Sequence, residues 1–167
     1  VGAYLVAHKD VSLIAFTGSQ SVGLEILNKA SQVQPGQRNI KKCILELGGK
    51  NSMIIDSDAD LDEAVQAVIY SAFGFQGQKC SACSRVVVLQ EIHDRFVDRL
   101  SEAIRSIKMA PATDPECFVG PVIDESSYVR IQKIIQENKN KYDLVYEAIH
   151  TNNMGYFISP VVFKNVD

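Results

Sequence analysis

Leu61, Ala64, Val65, Val68, Ile69 and Ala72 repeat at i, i+3, i+4, i+7, i+8 and i+11, a single apolar stripe at helical spacing. The acidic run Asp56–Glu63 before it supplies cap candidates and first-turn carboxylates that complement a helix dipole. After the stripe comes Gly74-Phe-Gln-Gly-Gln-Lys-Cys80-Ser-Ala-Cys83-Ser-Arg85, then the strand-like run Val86-Val87-Val88-Leu89. The chain is therefore committed to helix, glycine-flanked turn and strand in close succession. A thiol in such a turn has little steric cover, nearby free backbone N–H groups and a rigid element on each side, as a nucleophile requires. The competing reading makes Cys80 a small buried hydrophobe.

The same alternation runs through the rest of the chain. Ser12-Leu-Ile-Ala-Phe-Thr17 and Cys43-Ile-Leu-Glu46-Leu47 are short, nearly continuous apolar runs, expected as strands buried on both faces. Ser52–Ile55 is a further strand; Val22, Ile26, Leu27 and Ala30 mark one helix, and Ile92, Phe96, Leu100, Ile104 and Ile107 another reaching about Lys108. A helix is expected from about Glu125 to Asn138, and a polar surface loop over Gln136–His150. Gly155-Tyr-Phe-Ile-Ser-Pro160-Val-Val-Phe163 reads as a terminal strand broken by proline. Strands alternating with helices predict an α/β class with mainly parallel pairing.

Composition narrows the function. The 167 residues are 46% hydrophobic and 22% charged with a net charge of −3 and no basic block, which disfavours nucleic acid as a partner. No apolar run reaches membrane-spanning length and no signal-peptide pattern opens the chain, so neither a membrane partner nor secretion is expected. Four cysteines in a core-rich chain do not make a secreted disulfide framework, and a reducing, cytoplasmic setting is expected (mitochondrial matrix in a eukaryote). Cys80-Ser-Ala-Cys83 is formally a C-x-x-C, but no second one exists, and His8, His93 and His150 have no ligand spacing; no metal site is predicted. His93 and His150 are expected at the surface.

Two more features carry chemistry. Strand, Gly18-Ser-Gln-Ser-Val-Gly23 turn and helix is the layout of a phosphate site, because the first helical N–H groups are unpaired and the dipole favours an anion. It lacks a Walker lysine and a G-x-G-x-x-G, so a plain strand-to-helix turn remains the alternative. Glu46 sits inside an apolar strand, where desolvation would push its pKa toward the range of a general base; a strand-end carboxylate in solvent is the alternative.

Phe16-Thr-Gly-Ser-Gln-Ser-Val-Gly23, Leu45-Glu-Leu-Gly-Gly-Lys-Asn51 and Gly77-Gln-Lys-Cys-Ser-Ala-Cys-Ser-Arg85, in this order, resemble the aldehyde dehydrogenase superfamily. The latter two look most like its 1-pyrroline-5-carboxylate (glutamate γ-semialdehyde) dehydrogenases. Gly120-Pro-Val-Ile-Asp and Gly155-Tyr-Phe-Ile-Ser-Pro160 extend the resemblance over nearly the whole chain. It implies an aldehyde dehydrogenase-like, three-layer parallel-sheet α/β architecture, incomplete in this chain. Residues 1–47 would end a nucleotide-binding domain and residues 48–167 would begin the thiol domain. By resemblance Cys80 is the nucleophile and Glu46 the general base. Gly18, Ser19, Val22, Gly23 and Leu47 would hold NAD, with NADP as the alternative, and Ser81 would contact a substrate carboxylate. The implied partners are an aldehyde, further copies of the same protein and, by fusion, a proline dehydrogenase domain. A CoA-acylating enzyme, another aldehyde dehydrogenase, a non-catalytic structural relative and a redox C-x-x-C module are the alternatives.

The departures are local. Lys9 stands where proline is common and Ser52 where a less polar small residue is common. The family's oxyanion asparagine and ribose-binding lysine would precede Val1, and its substrate-carboxylate loop would follow Asp167. These 167 residues are therefore expected to be inactive as a separate polypeptide.

Overall fold

In a computed structural model, residues 1–147 and 155–166 are described, and the chain divides into two compact units, Val1–Gly49 and Lys50–Asp167.

The first unit runs α1 (Gly2–Ala7), β1 (Leu13–Gly18), α2 (Gln20–Ser31) and β2 (Lys42–Leu47). β1 and β2 pair in parallel, with Thr17 opposite Glu46 and Gly18 opposite Leu47. A parallel pair needs a crossover, and α2 provides it. Helix and strand approach closely at Gly23, where a Cβ would lie 2.6 Å from Leu47 Cδ2. α2 thus covers the face that carries Leu45 and Leu47. The expected burial of these strands on both faces is not what forms: exposure alternates, and Leu13 and Ile44 are 56% and 53% exposed. The reason is layering, since among the described residues of this unit no element covers the face opposite α2.

Lys41 is the buried cation of this unit. Its ammonium donates to the carbonyls of Val6 at 2.7 Å and His8 at 2.6 Å, at the end of α1 where carbonyls lack helical partners; the His8 carbonyl also accepts from the Val11 N–H at 3.1 Å. Hydrogen bonds from a charged donor contribute more than neutral ones. Lys41→Met, which keeps the stem and removes the charge, is expected to cost about 2–3 kcal/mol. Urea unfolding of the full-length protein checks this, and an unchanged midpoint would refute it.

The second unit contains β3 (Asn51–Ile55), α3 (Leu61–Phe73), β4 (Cys83–Val88), α4 (His93–Ile104), α5 (Glu125–Lys139), β5 (Asp143–Glu147) and β6 (Val161–Lys164). The predicted stripe is α3. Asp60 caps it, accepting from the N–H groups of Asp62 and Glu63 at 2.9 and 3.2 Å. α3 packs on α4 and on the parallel β3–β4 pair, and the core is Ile55, Leu61, Val65, Val68, Ile92, Phe96, Leu100 and Ile104. Ile104 is 1% exposed and Phe96 2%, each worth about 1.5–3 kcal/mol of burial. Asp124 caps α5 through the Ser127 N–H at 2.8 Å, and that hydrogen bond holds its carboxyl below the usual carboxylate range.

The α/β class holds, with parallel pairing in β1–β2 and β3–β4. Three expectations need correction. Within the polar loop expected over Gln136–His150, residues up to Glu147 instead form the end of α5 and then strand β5, paired antiparallel with β6, and residues 148–150 lie outside the described residues. Asp143, Lys141 and Glu147 disguise β5 as loop in sequence, and Tyr146 packs against the core. Helix α4 ends at Ile104, not Lys108, in tightened turns from Ser106 to Ala103 and Ile107 to Ile104. The terminal strand begins only at Val161, because Pro160 has no N–H to give the ladder. His93 opens α4 beside Asp94, and His150 lies outside the described residues.

Candidate active site

The chain leaves α3 through a 3₁₀ turn, Gly74–Gly77, whose backbone is unusual. Phe75 (φ 55°, ψ 37°), Gln76 (φ 56°, ψ 26°) and Gly77 (φ 65°) are three successive residues in the left-handed region. For Phe and Gln this conformation costs free energy and persists only where the surroundings enforce it. Gln76 supplies one restraint: its amide oxygen accepts from the Gly120 N–H at 2.7 Å, and its amide nitrogen donates to the Phe75 carbonyl at 3.1 Å. Gly77 is required twice over. Its φ is positive, and a Cβ there would sit 2.7 Å from the Ala72 carbonyl oxygen.

Beyond Gly77 the Ala82 N–H donates to the Lys79 carbonyl at 3.1 Å, closing a turn with Cys80 and Ser81 at its two central positions. Both residues are exposed. The Lys79 ammonium lies over the Tyr70 ring, 5.0 Å from its centroid, so its stem is drawn back along α3. Asn51, the first residue of β3, holds the turn from below. Its Nδ2 donates to the Cys80 carbonyl at 2.7 Å and the Ala82 carbonyl at 3.2 Å. The Asn51 carbonyl accepts from the Ser84 hydroxyl at 3.4 Å, and Arg85 Nη2 donates to the Lys50 carbonyl at 2.8 Å. A register shift between Asn51 and Ser52 bends the pair at this point.

The two cysteines of the C-x-x-C are unlike. Cys83 is buried at 7% exposure, its N–H donates to Ser71 Oγ at 3.2 Å and its thiol to the Arg85 carbonyl at 3.3 Å. It is a packing residue. Cys80 is exposed, so the reading that buries it as a small hydrophobe does not describe it. Among the described residues no group of three or more His, Cys, Asp or Glu side chains could hold a metal ion.

The remaining predicted residues lie in the first unit. Gly18 and Leu47 end β1 and β2 side by side, and Ser19 is the N-cap of α2, its hydroxyl accepting from the Val22 N–H at 3.4 Å. The Gly23 N–H goes to the Ser19 carbonyl at 3.0 Å, which leaves Gln20 and Ser21 as first-turn donors facing solvent. The carboxyl ends of parallel strands beside a helix N-terminus are where α/β sheets bind nucleotides. Glu46 requires a correction. It is exposed, on the opposite face from Leu45 and Leu47, rather than enclosed in a strand covered on both faces. Strand alternation put it on the uncovered side, which an apolar run read as two-faced burial conceals.

Asn51 and Lys41 were not singled out as functional or structural groups by sequence reasoning. Asn51 stood in a quoted motif, but only pairing of β3 with β4 reveals that its amide reaches Cys80.

A family model described as "Aldehyde dehydrogenase family" matches residues 1–167. The "1-pyrroline-5-carboxylate dehydrogenase 2" of Bacillus subtilis (strain 168) is 44% identical over 167 residues, covering 100% of this chain and 32% of the relative. The chain thus spans about a third of the length of the curated relatives it matches. Among solved structures, proline utilization A (PutA) from Bdellovibrio bacteriovorus inactivated by N-propargylglycine is 54% identical with a TM-score of 0.96, covering 99% of this chain and 17% of that one. The 1-pyrroline-5-carboxylate dehydrogenase from Thermus with bound NAD is 39% identical with a TM-score of 0.92, covering 97% and 31%.

Proposed function

Because the chain belongs to the aldehyde dehydrogenase family, we propose that the full-length protein oxidises L-glutamate γ-semialdehyde to glutamate with NAD through a thioester on Cys80. The observation that carries this is the exposed Cys80 at the centre of a restrained turn, on a chain that 1-pyrroline-5-carboxylate dehydrogenases match from end to end.

The chain's own residues have definite parts in this reading. The Cys80 thiolate adds to the aldehyde carbon, forming a C–S bond and an alkoxide that the Cys80 N–H helps to stabilise. A nicotinamide, when bound, supplies the acceptor for the hydride lost as that adduct becomes the thioester. Glu46 takes a proton from water, the water oxygen attacks the thioester carbon, and the C–S bond breaks to return the thiolate. Dividing oxidation from hydrolysis replaces one high barrier by two moderate ones.

For the cofactor, the first-turn amides of α2 and the strand ends at Gly18 and Leu47 offer a pyrophosphate an exposed set of donors. Ser19 and Val22 lie exposed beside them, and Gly23, buried against Leu47 with its N–H on the Ser19 carbonyl, lets α2 approach the end of β2. NAD is favoured over NADP by the likeness to a structure described with bound NAD. Ser81, exposed beside Cys80, is assigned to the substrate carboxylate. Residues 1–47 are read as part of the nucleotide-binding domain and 48–167 as part of the thiol domain. Fusion to a proline dehydrogenase domain belongs to the same proposal, and the likeness to proline utilization A supports it.

The test is turnover by the full-length protein on glutamate γ-semialdehyde against simple aliphatic aldehydes, with NAD and with NADP. A kcat/KM at least about 100-fold higher for the semialdehyde is expected, because a site built to pair a charged group discriminates strongly against analogues lacking it. Equal values would remove the substrate assignment, and product formation only with CoA present would replace water by a thiol acceptor.

A further inference from the structure

We infer that Asn51 is a positioning residue that aims the Cys80 thiol, an inference that rests on Cys80 being the nucleophile. The geometry is that of peptide planes. A peptide unit is planar, so holding its carbonyl and the Cα atoms at its ends restrains the whole plane, and the φ and ψ of a residue are set by the planes on its two sides. On the amino side of Cys80, the Lys79 carbonyl is held by the Ala82 N–H at 3.1 Å. On the carboxyl side, the Cys80 carbonyl is held by Asn51 Nδ2 at 2.7 Å. With both planes fixed, the direction of the Cys80 Cα–Cβ bond is fixed too.

The same amide donates to the Ala82 carbonyl at 3.2 Å, so one side chain spans the turn. Planarity carries the effect further. Turning the Cys80 carbonyl toward Asn51 turns the Ser81 N–H away from it, and turning the Ala82 carbonyl inward sends the Cys83 N–H to Ser71 Oγ, at 3.2 Å. Asn51 itself is anchored by its place in β3 and by the Ser84 hydroxyl on its carbonyl at 3.4 Å. The role needs two N–H donors on a short stem. Aspartate has the shape and no donor; alanine has neither.

The experiment uses the full-length protein with Asn51→Ala, Asn51→Asp and Cys80→Ala. Three quantities are read: the single-turnover rate of nicotinamide reduction, the KM for cofactor, and the rate of thiol alkylation by iodoacetamide. Both Asn51 variants are expected to lose about 100-fold in single-turnover rate, the scale of a misplaced reacting group. Cofactor KM and alkylation should stay within about twofold of wild type, since the thiol is still present and exposed. A purely structural role would instead leave the rate per folded molecule unchanged while lowering the melting temperature.

Either Asn51 variant reacting within about threefold of wild type, while Cys80→Ala is inactive, overturns this inference alone. Wild-type behaviour in Asn51→Asp is the sharper refutation, because that variant keeps the volume and removes the donors. Turnover retained in Cys80→Ala overturns the nucleophile assignment and the role of Asn51 with it.

Discussion

Cys80→Ala in the full-length protein is expected to abolish aldehyde oxidation while leaving the fold unaltered. The two halves of that expectation have separate grounds. The thiol is the atom that bonds to substrate in the proposed reaction, and no neighbouring hydroxyl matches a thiolate as a nucleophile near neutral pH. The residue is also exposed, so deleting its sulfur opens no cavity and removes no buried contact. Turnover and the urea midpoint should therefore part company: the first disappears and the second stays. Cys83 gives the contrast within the same motif. It is buried and hydrogen-bonded, so Cys83→Ser should lower the midpoint and spare the chemistry of the folded molecules. Oxidation surviving in Cys80→Ala, or lost in well-folded Cys83→Ser, would reverse the assignment.

Glu46→Gln is the second large effect, and it should look different in time. A glutamine amide cannot accept the proton from water, while the steps at Cys80 do not call on it. The first turnover is expected to release about one reduced cofactor per site, followed by a steady state slower by about 10²–10⁴-fold. Mass spectrometry of the acid-quenched protein should find an acyl group on the peptide containing Cys80. The glutamine amide keeps the shape of the side chain, so an unchanged urea midpoint alongside the lost turnover lets the loss be read as chemistry. Steady-state turnover near the wild-type rate would remove Glu46 from the mechanism.

Much of this was legible in the sequence because it is written in local periodicity. The stripe from Leu61 to Ala72 could only be a helix, and Asp60 and the glycines mark where it starts and where the chain turns. What stayed illegible depends on partners far away in sequence. β5 carries charged residues at both ends and is a strand only because β6 pairs with it. The exposure of Glu46 depends on which face α2 covers, and an unbroken apolar run says nothing about that. Asn51 belongs to a motif visible in the sequence, yet its hydrogen bonds to the Cys80 and Ala82 carbonyls appear only when β3 and β4 lie together. Left-handed φ at Phe75 and Gln76 was equally hidden, since neither residue type favours it.

The bonds from Asn51 to Cys80 and Ala82 close loops of 29 and 31 residues. Closing loops of that length costs conformational entropy, and helix α3 lies wholly inside them. The pairing of β3 with β4 brings the same residues together, so in a chain that has not yet paired them Cys80 is one thiol among the four of these 167 residues. The proposed nucleophile would thus be assembled by the tertiary structure, and a chain that has not paired these strands has sulfur at position 80 without the bonds proposed to aim it.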